Sequence, residues 1–158
     1  MKISELMTTT YTTCRPEDNL DRAAQIMWTA DCGCVPVVDR EGQPLGMITD
    51  RDVCMAASFQ GARLTDCQVQ QAMSRGVRTC REDMTIEEAH TTMREHQLHR
   101  LAVVDRRGRL VGLVSLSDLV HRTNVRTDAE RRELADELLT TFSSICRPRG
   151  VSAASLVT

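Results

Sequence analysis

Residues 35–52 read Val-Pro-Val-Val-Asp-Arg-Glu-Gly-Gln-Pro-Leu-Gly-Met-Ile-Thr-Asp-Arg-Asp, and residues 101–118 read Leu-Ala-Val-Val-Asp-Arg-Arg-Gly-Arg-Leu-Val-Gly-Leu-Val-Ser-Leu-Ser-Asp. The second stretch is the first displaced by 66 residues without a gap. Carried outward, the same offset puts Met7 on Met73, Thr13-Cys14-Arg15 on Thr79-Cys80-Arg81, and Ala23 and Met27 on Ala89 and Met93. That makes 13 identities over positions 7–53. Hydrophobic phase is kept throughout, as in Leu20/Ile86 and Ile48/Val114. The chain is an internal duplication.

Each copy spells the same elements. A short extended stretch at 11–14 or 77–80 leads to a helix. In copy one Leu20, Ala23, Ala24 and Met27 stand at i, i+3, i+4 and i+7 behind the N-cap Asn19. In copy two Ile86, Ala89, His90 and Met93 repeat the spacing, and Thr85 with Glu88 forms a capping-box pair. His90 therefore reads as a packed, neutral side chain. Two strands follow, at 35–39 and 45–49 and again at 101–105 and 110–115. They are joined by turns in which Gly42 and Gly108 supply a positive φ. A second helix opens near residues 50 and 116. The expected fold class is α+β (mixed α/β), with two β-α-β-β-α repeats. One such unit buries too little apolar surface to stand alone, so the two are expected to pack sheet to sheet around a shared core.

The expected boundaries are copy one at 2–58, a linker at 59–68 with Gly61 stopping the preceding helix, and copy two at 69–123. A helical extension follows at 124–146 and a disordered tail at 147–158. In the extension Asp128 caps a helix whose apolar stripe is expected to be Leu134, Leu138, Leu139 and Phe142, packing on the module or on a second subunit.

Composition narrows the function. The 158 residues are 41% hydrophobic but only 3% aromatic, so the core must be aliphatic. A net charge of −2 lacks the positive field that sequence-independent nucleic-acid binding needs. No apolar run approaches the ~20 residues of a membrane span, and the first twenty residues lack a signal peptide's apolar stretch. A soluble, cytoplasmic protein is expected, with its seven cysteines as reduced thiols. Cys32-Gly33-Cys34 is the only tight pair, and the four histidines add no partner at zinc-site spacing. No Ser/His/Asp, Cys/His or paired-carboxylate arrangement stands apart from the repeat, so no enzyme is expected.

Chemistry concentrates where each copy's last strand meets its last helix: Gly46-Met47-Ile48-Thr49-Asp50-Arg51-Asp52 and Gly112-Leu113-Val114-Ser115-Leu116-Ser117-Asp118. Thr49 with Asp52, and Ser115 with Asp118, fit two roles. Either pair can start a helix as a capping box. Either can also serve a nucleoside phosphate, since a helix start attracts anions and an acid one turn in can hold the vicinal hydroxyls of a ribose. Glycine three residues before each hydroxyl residue, at the strand start, lets a backbone or flat ring approach.

Over about residues 2–123 these copies resemble a tandem pair of cystathionine-β-synthase-type (CBS) domains. The carrying features are Met7-Thr8 and Met73-Ser74 opening each copy, the Val-Pro-Val-Val-Asp and Leu-Ala-Val-Val-Asp strands, and Gly-x-x-Thr/Ser-x-x-Asp closing each copy. The resemblance implies two units related by a pseudo-twofold axis, sheets packed together, with two clefts between them. It also implies a flat homodimer and a sensor of AMP, ADP, ATP or S-adenosylmethionine. No cofactor is required, although Mg²⁺ can accompany a polyphosphate. Carried over by position, Asp52 and Asp118 would hold ribose, and Thr49 and Ser115 would sit near ribose or phosphate. Val35, Pro36 and Val37, Leu101, Ala102 and Val103, and Thr13, Cys14, Thr79 and Cys80 would line adenine. Arg51 and Arg100 would meet phosphate with forked donors. The sequence departs from the family at Ala102, where proline is usual, and at Cys32-Gly33-Cys34.

The expected function is a non-catalytic energy or metabolite sensor whose occupancy is read by an unidentified protein partner. The alternatives are a redox or metal sensor built on Cys14, Cys32, Cys34 and Cys80, and a ligand-free dimerisation module.

Overall fold

The structure, a computed structural model, describes residues 2–123 and 127–147. Copy one supplies α1 (Leu20–Thr29), β1 (Cys34–Val38), β2 (Pro44–Thr49) and α2 (Asp50–Gln60). Copy two supplies α3 (Val69–Ala72), β3 (Ser74–Arg75), β4 (Thr79–Arg81), α4 (Ile86–His96), β5 (Arg100–Val104), β6 (Leu110–Ser115) and α5 (Leu116–Thr123). The last element is α6 (Asp128–Ile145). The tail expected to be disordered lies, from residue 148 on, outside the described residues.

The local signals act where the sequence puts them. The Asn19 side chain accepts from the Arg22 amide at 2.9 Å, relieving one of the unpaired donors at the start of α1. Thr85 and Glu88 form the reciprocal capping box of α4, and Gly61 ends α2 in the left-handed region at φ 59°. The hairpin turns are copies of each other. Asp39 Oδ1 accepts from the Glu41 and Gln43 amides, Asp105 Oδ1 from the Arg107 and Arg109 amides. Gly42 and Gly108 take φ 84° and 79°.

Two three-stranded sheets form, in the orders β1-β2-β3 and β4-β5-β6. Within each, the long hairpin is antiparallel (Val35↔Ile48 and Leu101↔Val114). Cys80 pairs in parallel with Val103, and Cys14 bridges Val37 in the same way. The outer edge is exchanged between copies. Ser74 and Arg75, which open copy two, pair with Met47 and Gly46 of copy one, while Thr8, which opens copy one, bridges Leu113 of copy two. A Cβ at Gly46 would overlap the Ser74 carbonyl oxygen, and one at Gly112 would come within 2.7 Å of the Met7 sulfur. Those glycines admit a neighbouring chain, the backbone option of the two the sequence leaves open.

Exchange continues into the interior and corrects the single shared core. Buried residues form two clusters. One gathers Leu20, Ala23, Val35, Val37 and Ile48 of copy one with Val69 from the start of copy two. The other gathers Ile86, Met93, Leu101, Val103 and Val114 of copy two with Ile3 from the start of copy one. Main-chain bonds lock the swap: Ile3 N donates to Met84 O and Val69 N to Asp18 O, at 2.9 and 2.8 Å.

Helix α6 lies across α4 and α5. Its buried stripe is Leu134, Leu138, Thr141 and Ile145, whereas Leu139 and Phe142 are 67% and 54% exposed. This corrects the expected stripe, which kept only its first two members. Positions i, i+4, i+7 and i+11 share one helical face, and Leu139 and Phe142 lie a step around it. Thr141 is tolerated inside because its hydroxyl meets His90 Nδ1 at 3.2 Å.

Candidate functional site

Two cavities open between the copies, and the 66-residue offset maps one lining onto the other. The larger, of about 580 Å³, is walled by Cys34 and Arg100 at the strand starts, by Met47 and Thr49 of β2, and by Ser74–Arg78 and Leu98–His99 of copy two. The smaller, of about 240 Å³, has Cys34 and Arg100 again, with Leu113 and Ser115 of β6, Thr8 and Thr10–Thr12, and Cys32. Position by position, Thr49 answers to Ser115, Met47 to Leu113, Ser74 to Thr8 and Arg78 to Thr12.

Geometry places the expected residues in four groups. Thr49, Arg51, Arg100 and Ala102 line the larger cavity. Pro36, Ser115 and Asp118 line the smaller one, which Arg100 shares. Val35, Val37, Leu101, Val103, Cys14 and Cys80 are buried in the two apolar clusters. Thr13 and Thr79 precede those cysteines and line neither cavity, nor does Asp52. Alternation explains the split. Along β1 the side chains of Val35 and Val37 face the core while Pro36 between them faces a cavity.

The two acids do start helices. Asp52 Oδ2 accepts from Thr49 N and Oγ1 at 2.9 and 2.7 Å, and Asp118 Oδ2 accepts from Ser115 N and Oγ, both at 2.7 Å. Capping consumes one oxygen of each carboxylate. Asp118 Oδ1 takes a bond of 3.3 Å from the Thr8 hydroxyl across the copy boundary, and among the described residues no donor reaches Asp52 Oδ1. Asp118 thus combines capping with a place at the smaller cavity, whereas Asp52 caps its helix without lining either one.

Several lining groups escaped the sequence reading: Thr10–Thr12 in one cavity, and Arg75, Gly76 and Arg78 in the other. They lie at the start of the expected first strands or within two residues upstream of them, next to the segments exchanged across the boundary. Tyr11 donates its phenol proton to Leu110 O at 2.9 Å, and burial raises its pKa.

Thiol chemistry differs between the cysteines. Burial pushes Cys14 and Cys80 up to about 11, with the Asp18 carboxylate adding to the effect at Cys14. Cys34 is raised by burial but opposed by Arg100, whose Nη1 donates to its sulfur at 2.8 Å. Among the described residues no group of three or more His, Cys, Asp or Glu converges as a metal site. None of the described helices is long and apolar enough to cross a membrane.

Repeat, exchanged edges and paired cavities together define a duplicated ligand-pocket architecture. The CBS domain profile matches residues 3–58 and 69–124, and the chain belongs to the CBS domain family. It is 36% identical over 117 residues to the CBS domain-containing protein YhcV of Bacillus subtilis, covering 74% of this chain and 81% of that one. Its fold matches the CBS domain pair of MJ0100 in complex with 5′-methylthioadenosine and S-adenosyl-L-methionine, at a TM-score of 0.68 and 24% identity, over 77% of this chain and 98% of the other. It also matches CBSX2 in complex with AMP, at a TM-score of 0.68 and 21% identity, over 78% and 96%.

Proposed function

We propose that the chain is a non-catalytic regulatory module that binds an adenosine-type ligand in the clefts between its CBS repeats and passes occupancy to a protein partner. The observation carrying this reading is that one set of positions, repeated at an offset of 66, walls both cavities with a hydroxyl residue at a helix start and apolar strand residues, while Arg100 borders both. Adenosine compounds occupy the fold neighbours MJ0100 and CBSX2. Ligands that contact both copies favour one relative angle of the copies over others, and only that differential affinity can shift the shape. Seven cysteines, none of them in a disulfide, suit a reducing, cytoplasmic setting.

A homodimer fits the same reading. Helix α6 covers α4 and α5 of copy two, while the equivalent helices α1 and α2 of copy one carry the exposed Trp28 and Phe59, at 89% and 80%, and Met55. Large apolar side chains exposed on one face mark association surfaces.

Calorimetry with AMP, ADP, ATP and S-adenosylmethionine tests the ligand class, repeated with Asp52→Ala and Asp118→Ala. Asp118→Ala should weaken the smaller cleft by ~1.5–3 kcal/mol, the usual worth of a hydrogen bond to a charged group, and Asp52→Ala, which reaches the larger cleft only through the Thr49 it caps, should weaken that one less. Unchanged affinity in both would reject the ribose assignment, and no heat with any of the four would reject the adenosine class.

A further inference from the structure

The two cavities share a scaffold but not a charge. Arg51, Arg75, Arg78 and Arg100 line the larger one, opposed there only by Asp50. At the matching positions, 66 residues away, stand Ser117, Thr9, Thr12 and Cys34. All four guanidinium groups have neutral counterparts. The smaller cavity holds a single balanced pair of charges, Arg100 and Asp118, among threonine hydroxyls and Tyr11. It also has less than half the volume, about 240 against about 580 Å³.

Three of these arginines are uncommitted, Arg100 alone being tied to Cys34. The described ion pairs use Arg22, Arg81 and Arg109, and the side chains of Arg51, Arg75 and Arg78 make no hydrogen bond to any described residue. Arg51 comes from copy one, Arg75 and Arg78 from copy two, so an anion held among them would tie the copies together. Forked donors of this kind match phosphate oxygens, and several unpaired cations at one cavity favour a chain of phosphates over a single one.

We infer that the clefts divide ligands by charge: the arginine-lined cleft takes the phosphate chain of a nucleoside polyphosphate, and the smaller cleft takes an adenosine compound without phosphate. The adenosine half of this inference rests on the function proposed above; the charge division does not.

Calorimetry on the full chain with inorganic tripolyphosphate and, separately, with 5′-methylthioadenosine reads the two halves independently. Tripolyphosphate should bind once per chain and lose at least tenfold in affinity in Arg75→Ala/Arg78→Ala, with Arg75→Lys/Arg78→Lys intermediate. Both arginines are exposed, so the variants should melt as the parent does. 5′-Methylthioadenosine should bind once, indifferent to those substitutions and not displaced by tripolyphosphate. Two tripolyphosphate sites per chain, an affinity unchanged by Arg75→Ala/Arg78→Ala, or mutual displacement of the two probes would overturn the inference. Arginine-dependent tripolyphosphate binding, with no adenosine compound binding at all, would uphold the anionic cleft and reject the adenosine reading instead.

Discussion

Cys34 and Arg100 are each other's counterparts in the repeat, 66 residues apart, and they touch: Arg100 Nη1 donates to Cys34 Sγ at 2.8 Å. Two positions related by a twofold can meet only on its axis. The pair therefore marks the pseudo-twofold axis of the molecule, and it is the partition between the two cavities, lining both.

This placement makes the cysteines distinguishable by alkylation. Exposed Cys54 and Cys146 should react first with iodoacetamide, Cys34 more slowly, and buried Cys14 and Cys80 last. A thiol held at about 11 is thiolate in only about one molecule per thousand at pH 8, and the thiolate is the nucleophile. Peptide mapping by mass spectrometry gives the order. Early labelling of Cys14 or Cys80 would contradict the burial described and revive a redox role for them.

Gly46 and Gly112 look equivalent in sequence but should not be equally sensitive. A methyl group at Gly46 meets the Ser74 backbone carbonyl, which cannot yield without breaking the β2–β3 edge; at Gly112 it first meets the flexible Met7 side chain. Gly46→Ala should cost ~1–3 kcal/mol, the usual penalty of overpacking, and Gly112→Ala distinctly less. Thermal melts of the two variants side by side decide it, and equal losses would contradict the asymmetry.

Acid should loosen the α4–α6 contact. Burial lowers the pKa of His90, with Arg94 lowering it further and Glu87 opposing. Those two lie on α4, and the group facing the ring from α6 is Thr141. In the unfolded chain the imidazole takes up a proton near pH 6.5, while in the folded one it stays neutral to lower pH. The unfolded state then binds more protons, so stability should fall as pH drops below about 6.5 towards the depressed folded value. Urea midpoints at pH 7.5 and 5.5 should differ less in His90→Gln than in the parent. Thr141→Val, which strips the ring of its partner, should cost ~1–3 kcal/mol at either pH.

Association should depend on the uncovered face of copy one. Trp28→Ala/Phe59→Ala is expected to shift sedimentation from dimer to monomer with little change in melting temperature, because both side chains sit outside the apolar clusters. Leu139→Ala/Phe142→Ala on α6 gives the contrast. If it alone abolished the dimer, the interface would lie on copy two.

Much of this was legible from spacing. The duplication, the capping pairs at Thr85/Glu88 and Thr49/Asp52, the hairpin glycines and the stop at Gly61 are short-range signals, and local chemistry fixes them before tertiary structure intervenes. Pairing across the copies was not legible, since nothing in Ile3 or Val69 says which of two nearly identical cores it will enter. The α6 stripe failed for a related reason: Thr141 reads as polar until His90 is brought opposite it. Arg75 lies on the exchanged edge and Arg78 just after it, so their convergence with Arg51 needed the fold.

Ile3 completing copy two and Val69 completing copy one has a consequence for the origin of the molecule. A single unit cut free of its twin would be missing a piece of its own interior, and could recover it only by borrowing from a second molecule. Joining two units end to end makes that loan internal, so the closed shape no longer depends on protein concentration, and each pocket is built from both parents.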